Sequence, residues 1–186
     1  MGLLFSAVGR DAEAVKILKV VARGEDKELA ANARLQLISL AEKESPAKAI
    51  PIYEEILQTA ETDHEKALIL TRLANVYYKL KLYDQCIDAA EKVAQIGESP
   101  ESIASAYYLQ ANCYFDTKDF QKAIELYRVI TEKYPATLIA PNALFQIGLS
   151  YQRIGTTESI DGSVEAFTRF YKLYPDNPSA PAAYYY

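Results

Sequence analysis

Three tyrosines, Tyr77, Tyr114 and Tyr151, stand at intervals of 37 residues, and each follows three residues after a small one, Ala74, Ala111 or Gly148. The same interval carries Ala49 to Cys86 to Ala123, and a three-residue insertion then brings that series to Ser163. A fixed period of this length marks an array whose units each bury their apolar face only against neighbouring units. Within a unit the apolar residues recur at three- and four-residue spacing on either side of a break, so each reads as helix, turn, helix. The plainest example runs from Ala104 to Pro135, as SAYYLQANCYFDTKD followed by FQKAIELYRVITEKYP.

Because an array adds length without adding domains, the 186 residues read as one all-α solenoid. Half of them are hydrophobic and 24% are charged, enough to build a core along the whole stack. The net charge is −5 and the basic residues are scattered among acidic ones, which argues against nucleic acid as a partner. No apolar run approaches the roughly 20 residues of a membrane span, and Met1–Val8 is too short and lacks the basic start of a signal peptide. Cys86 and Cys113 fall at small or semi-buried helical positions without CxxC spacing and read as packed free thiols.

In order, the chain reads as a partial repeat (1–25), four repeats (26–61, 62–98, 99–135 and 136–178) and the start of another (179–186). MGLLFSAVGR resembles the last turns of a helix whose beginning is missing, and Asp11 to Arg23 reads as a second helix. Ser45-Pro46, Thr62 with Glu65, Ser99-Pro100 and Asp119 are helix-opening signals. Pro51 falls inside the helix that Pro46 opens, which should leave it slightly irregular but unbroken. The segment from Ile154 to Gly162, with two glycines and three extra residues, reads as a long irregular turn. APAAYYY matches APNALFQ at an offset of 40, so both ends read as interrupted repeats of a longer array.

A small residue, a tyrosine three further on, an alanine nine on, an aromatic four on and a closing proline fit Ala111, Tyr114, Ala123, Tyr127 and Pro135 together. This resembles the tetratricopeptide repeat pattern, although 37 residues is longer than that family's usual 34. The resemblance implies a right-handed superhelical α-solenoid whose first helices line a concave face. The Tyr-Pro endings of YPATLIAPNALFQIG and YPDNPSAPAAYYY are similar to bacterial envelope proteins of that family, namely the outer-membrane β-barrel assembly lipoproteins and the Tol-Pal-associated periplasmic proteins. That likeness implies an adaptor in the periplasm or cell envelope.

No catalytic constellation is legible. His64 is the single histidine and sits in a helix-opening turn, and GLSYQ around Ser150 lacks the second glycine of a nucleophile elbow. An envelope hydrolase would need paired carboxylates that these helices do not assemble, and neither cofactor nor metal is expected. Of the fifteen tyrosines, Tyr77, Tyr107, Tyr114, Tyr127 and Tyr151 occupy repeat positions that pack helices together.

Positions one or two residues off the buried stripe of the first helices give the candidate partner-binding face: Arg34 and Ile38; Thr71, Arg72, Asn75 and Tyr78; Tyr108, Asn112 and Phe115; Phe145, Gln146, Leu149 and Gln152. Asn75 and Asn112 are equivalent, and an asparagine offers a donor and an acceptor to a bound backbone. The aromatics would supply pockets, and Arg34 and Arg72 could meet a carboxylate. Thr71 and Tyr108 stand where the family's chaperone-binding members carry clamp lysines, which disfavours chaperone tails. The expected function is a non-catalytic scaffold holding a peptide or helix of a partner protein. The alternative is self-assembly through apolar ends, at Leu3, Leu4, Phe5 and Tyr184 to Tyr186.

Overall fold

A computed structural model describes residues 11–179. The expected interrupted ends, MGLLFSAVGR with Leu3, Leu4 and Phe5, and the final APAAYYY with Tyr184 to Tyr186, lie outside the described residues. Those that are described form helices and turns in two compact units, the chain dividing between Glu61 and Thr62.

The first unit contains α1 (Asp11–Val21), α2 (Lys27–Glu44) and α3 (Pro46–Thr59). Asp26 caps α2 by accepting a hydrogen bond from the Leu29 amide at 3.0 Å. Leu18, Ala22, Ala33 and Leu37 form the core between α1 and α2, with Val15, Leu40 and Ile52 against it. Helix α3 runs through Pro51 without a break, as expected. Ile38 is only 1% exposed, so it belongs to the interior and not to the candidate face. The count along α2 goes astray there because Ile38 lies beside Leu37 on the wide apolar stripe of an 18-residue helix.

The second unit contains three helix pairs: α4 (Asp63–Lys79) with α5 (Tyr83–Ile96), α6 (Pro100–Asp116) with α7 (Phe120–Lys133), and α8 (Ala140–Ile154) with α9 (Thr157–Leu173). Each helix also packs on the next in sequence, and α4, α6 and α8 lie side by side as a face of first helices. Thr62, Ser99, Asp119 and Thr156 accept hydrogen bonds from the amides of Glu65, Ser102, Lys122 and Ser159, which starts four of the six helices. Buried Ala74, Cys86, Ala90, Ala111 and Ala123 allow the helices of a pair to approach closely.

The turns inside the pairs share one geometry. Lys81 and Lys118 adopt left-handed φ values of 59° and 68°, and Gly155, at the next equivalent position, has φ 73°. At the first two, the following residue donates back to the start of the last turn, Leu82 to Tyr77 at 2.9 Å and Asp119 to Tyr114 at 2.8 Å, the Schellman arrangement. In all three cases the next helix begins two residues after the left-handed one. The expected long turn from Ile154 to Gly162 is therefore not a loop. Thr156 caps α9, which spans 17 residues where α5 and α7 span 14, so the three extra residues lengthen a helix. Gly162 lies inside α9 because the Tyr151 ring presses on it: a β-carbon there would fall 2.9 Å from the ring.

Candidate functional site

The candidate face is best resolved on α4 and α6. Thr71, Asn75, Tyr78, Tyr108 and Asn112 line one cavity of about 410 Å³ with Ala74, Ala90, Leu109 and Ile139. Helical spacing brings 71, 75 and 78 onto one side of α4, and 108 and 112 onto the facing side of α6.

The two equivalent asparagines are held differently. Asn75 donates its amide nitrogen to the Thr71 carbonyl one turn back, at 2.7 Å. With its nitrogen directed at that carbonyl, its Oδ1 is turned away from the helix backbone, and the residue is exposed. Asn112 is half-buried, and its Oδ1 accepts the Tyr127 hydroxyl at 2.6 Å, so it ties α6 to α7. Tyr127 is fully buried, and burial pushes its phenol well above the usual tyrosine range.

Two aromatic pairs recur along the unit. Tyr78 meets Tyr83 edge to face with ring centroids 6.1 Å apart, and Phe115 meets Phe120 in the same way at 5.4 Å, each at the turn of its helix pair. Tyr78 also donates to Asp116 at 2.8 Å, which joins α4 to α6; burial first, and then this bond, holds its phenol far above the usual range. Deeper in, Tyr108 packs on Tyr127 at 5.5 Å and Phe145 on Phe167 at 5.3 Å. Phe115 and Phe145 thus engage rings of their own pairs, and Phe145 sits also 5.4 Å from Phe170. Burial raises the Tyr108 phenol, and the Gln146 side chain opposes this with a hydrogen bond. Gln146 itself keeps a buried Oε1 without a hydrogen-bond partner.

The other sequence-selected residues are not gathered by the cavity. Arg72 and Gln152 are exposed on α4 and α8, and Leu149 is half-buried on α8. Arg34 lies in the first unit, where its Nε donates to the Ala22 carbonyl at 3.2 Å. Among the cavity-wall residues that the sequence reading did not single out for the site is Ala90. Tyr53, Tyr127 and Phe167 stand at its equivalent positions, and comparing that column would have found it.

Elsewhere, Cys86 and Cys113 are buried free thiols, and a hydrogen bond with Cys113, then burial, pushes the Cys86 thiol up. Among the described residues there is no group of three or more His, Cys, Asp or Glu side chains able to hold a metal, and no helix is long and apolar enough to cross a membrane.

Residues 65–136 and 142–177 match models described as tetratricopeptide repeat, which together span more than half of the chain. The chain belongs to the tetratricopeptide repeat family. No curated protein matches it by sequence. Among solved structures it is similar to MamA, with a TM-score of 0.70 at 20% identity over 94% of this chain and 88% of that one. It is similar also to YrrB, a tetratricopeptide repeat protein with an unusual peptide-binding site, at TM-score 0.66 and 18% identity, covering 100% of this chain and 89% of that one. A tetratricopeptide repeat protein from Parabacteroides merdae ATCC 43184 gives TM-score 0.68 and 17% identity over 99% and 70% of the two chains. At such identities the likeness speaks of fold alone. The fold is that of a protein-interaction scaffold, a class whose members are generally non-catalytic.

Proposed function

We propose that the chain holds an extended or helical segment of another protein along the first-helix face of its second unit. One observation carries this reading: Thr71, Asn75, Tyr78, Tyr108 and Asn112 converge on a single cavity that combines aromatic walls with amide groups. In this reading Asn75 offers its Oδ1 to a donor of the bound segment, Tyr78 and Tyr108 contact its side chains, and Arg72 meets a carboxylate at the rim. Asn112 acts chiefly as a brace, since its oxygen is engaged by Tyr127. The peptide-binding site named for YrrB is consistent with such use of the fold. The Tyr-Pro endings at Tyr134-Pro135 and Tyr174-Pro175 favour an adaptor of the bacterial envelope.

A random-peptide display selection on the whole chain tests the reading. Recovered peptides should bind Asn75→Ala several-fold more weakly while Arg169→Ala, on α9, leaves them unchanged. Equal affinity for Asn75→Ala and the native chain would remove this face from the function. Asn75 is chosen over Asn112 because its side chain is exposed and bonds only its own helix, so its loss leaves the stack intact.

A second reading, self-association, is favoured by Ile160, Val164 and Tyr171, which recur at helical spacing and are 55%, 51% and 47% exposed on α9. Sedimentation at rising concentration separates the two, because a binding scaffold of the first kind stays monomeric.

A further inference from the structure

The cavity between α4, α5 and α6 exists because one repeat lacks two rings that the next two repeats possess. Tyr108 with Tyr127, and Phe145 with Phe167, pack as ring pairs inside their helix pairs, whereas the equivalent positions of the preceding repeat hold Thr71 and Ala90. Both small residues lie on the cavity wall. Thr71 is half-buried and Ala90 only 1% exposed, so the cavity opens at Thr71 and reaches Ala90 as its floor, next to the place that the neighbouring repeats fill with aromatic side chains.

Those repeats show the polar end of the occupant. Where the ring is Tyr127, the residue 15 positions earlier is Asn112, which accepts its hydroxyl at 2.6 Å. Where the ring is Phe167 and has no hydroxyl, the position equivalent to Asn112 is Leu149. The repeat with the void keeps the asparagine: Asn75 stands 15 residues before Ala90, with its nitrogen committed to the Thr71 carbonyl. Asn75 Oδ1 thus corresponds to the acceptor that Tyr127 uses, in a repeat that has alanine where the phenol would stand.

Resting on the peptide-binding reading above, we infer that this cavity receives one tyrosine side chain of the partner segment. Its ring occupies the place of Tyr127 in the following repeat, between Ala90 and the Tyr108 ring, and its hydroxyl donates to Asn75 Oδ1. A void of about 150 Å³ suffices for a benzene ring, and this one, at about 410 Å³, also admits the linking methylene and part of the backbone. Tyr78 lines the same cavity and adds an aromatic wall.

The test uses the whole chain and p-cresol, the side chain of tyrosine as a free molecule, followed by two-dimensional amide NMR. Saturable shifts are expected at Asn75, Ala90 and Tyr108, including the Asn75 side-chain amide. Toluene, which lacks the hydroxyl, should bind about fivefold more weakly, in line with the loss of one hydrogen bond. Ala90→Tyr rebuilds the aromatic of the other repeats and should abolish binding of p-cresol. Should that variant not fold, Asn75→Ala decides: it should erase the preference for p-cresol over toluene. Absence of saturable shifts, equal affinity for the two probes, or undiminished binding to folded Ala90→Tyr would overturn the assignment. Because the probe is not a peptide, such a failure beside Asn75-dependent peptides from the display selection would leave the binding face standing without its tyrosine pocket. Failure of the selection beside p-cresol binding would leave a ring-sized pocket that no peptide uses.

Discussion

Gly148 on α8 lies so close to Phe167 on α9 that a β-carbon on it would fall 2.7 Å from two atoms of the ring. The equivalent residues in the two preceding repeats are Ala74 and Ala111, opposite Ala90 and Tyr127. The methyl group is given up where Phe167 takes its place, and the Ser163 hydroxyl reaches the Gly148 carbonyl at 3.1 Å across the same contact.

Gly148→Ala is therefore expected to destabilise the second unit by about 1–3 kcal/mol, the usual cost of overpacking. Helix propensity alone would favour alanine by about 1 kcal/mol, so the sign of the change in urea unfolding tells which effect wins. Restoring space with Gly148→Ala/Phe167→Leu should recover part of the loss.

Lys81 and Lys118 hold a backbone conformation that costs an L-residue about 1–2 kcal/mol and costs glycine almost nothing. Their counterpart Gly155 shows that the turn accepts glycine. Lys118→Gly should raise stability by up to about 1 kcal/mol, the gain being reduced by the greater freedom of glycine in the unfolded chain. Adding Lys81→Gly should contribute a similar increment, and chemical denaturation of the single and double variants checks both.

Alkaline pH should weaken the fold earlier than tyrosine content alone would dictate. Burial is the largest cause raising the phenols of Tyr78, Tyr83, Tyr108 and Tyr127 above the ordinary value of 10.0. Below pH 10 both folded and unfolded chains keep these protons, and the stability they are linked to is fully present. Above it the unfolded chain loses protons that the folded one retains, so stability falls as pH climbs from 10 toward the raised folded values. For buried Tyr127 the slope approaches about 1.4 kcal/mol per pH unit. Urea midpoints at pH 8, 10 and 11 should drop progressively, and Tyr127→Phe should flatten the decline.

How far these features could be read from the sequence depended on whether they follow from local chemistry. Thr62, Ser99 and Asp119 announce their helices because a side-chain oxygen before an apolar-periodic run has an amide to accept from, and all three do so. Asn75 and Asn112 could be paired by the period, but not their unlike roles, since these depend on whether a tyrosine or an alanine faces them from the second helix. Gly162 was legible as a glycine and illegible in purpose: two glycines near an insertion suggest a loop, whereas one ends a helix at Gly155 and the other makes room for Tyr151 inside α9. Ile38 shows the limit of counting along a helix, because one residue of phase separates a face from a core.

The missing rings at Thr71 and Ala90 have a consequence for anything long that lies across these helices. A perfectly periodic surface cannot distinguish a bound chain from the same chain displaced by one repeat. For a segment bound as proposed, a single vacancy would remove that degeneracy and act as the zero mark on a ruler, fixing which residue of the guest sits at which pair of helices. Direction follows as well, since Arg72 belongs to the marked repeat itself and the filled pair Tyr108–Tyr127 to the repeat after it.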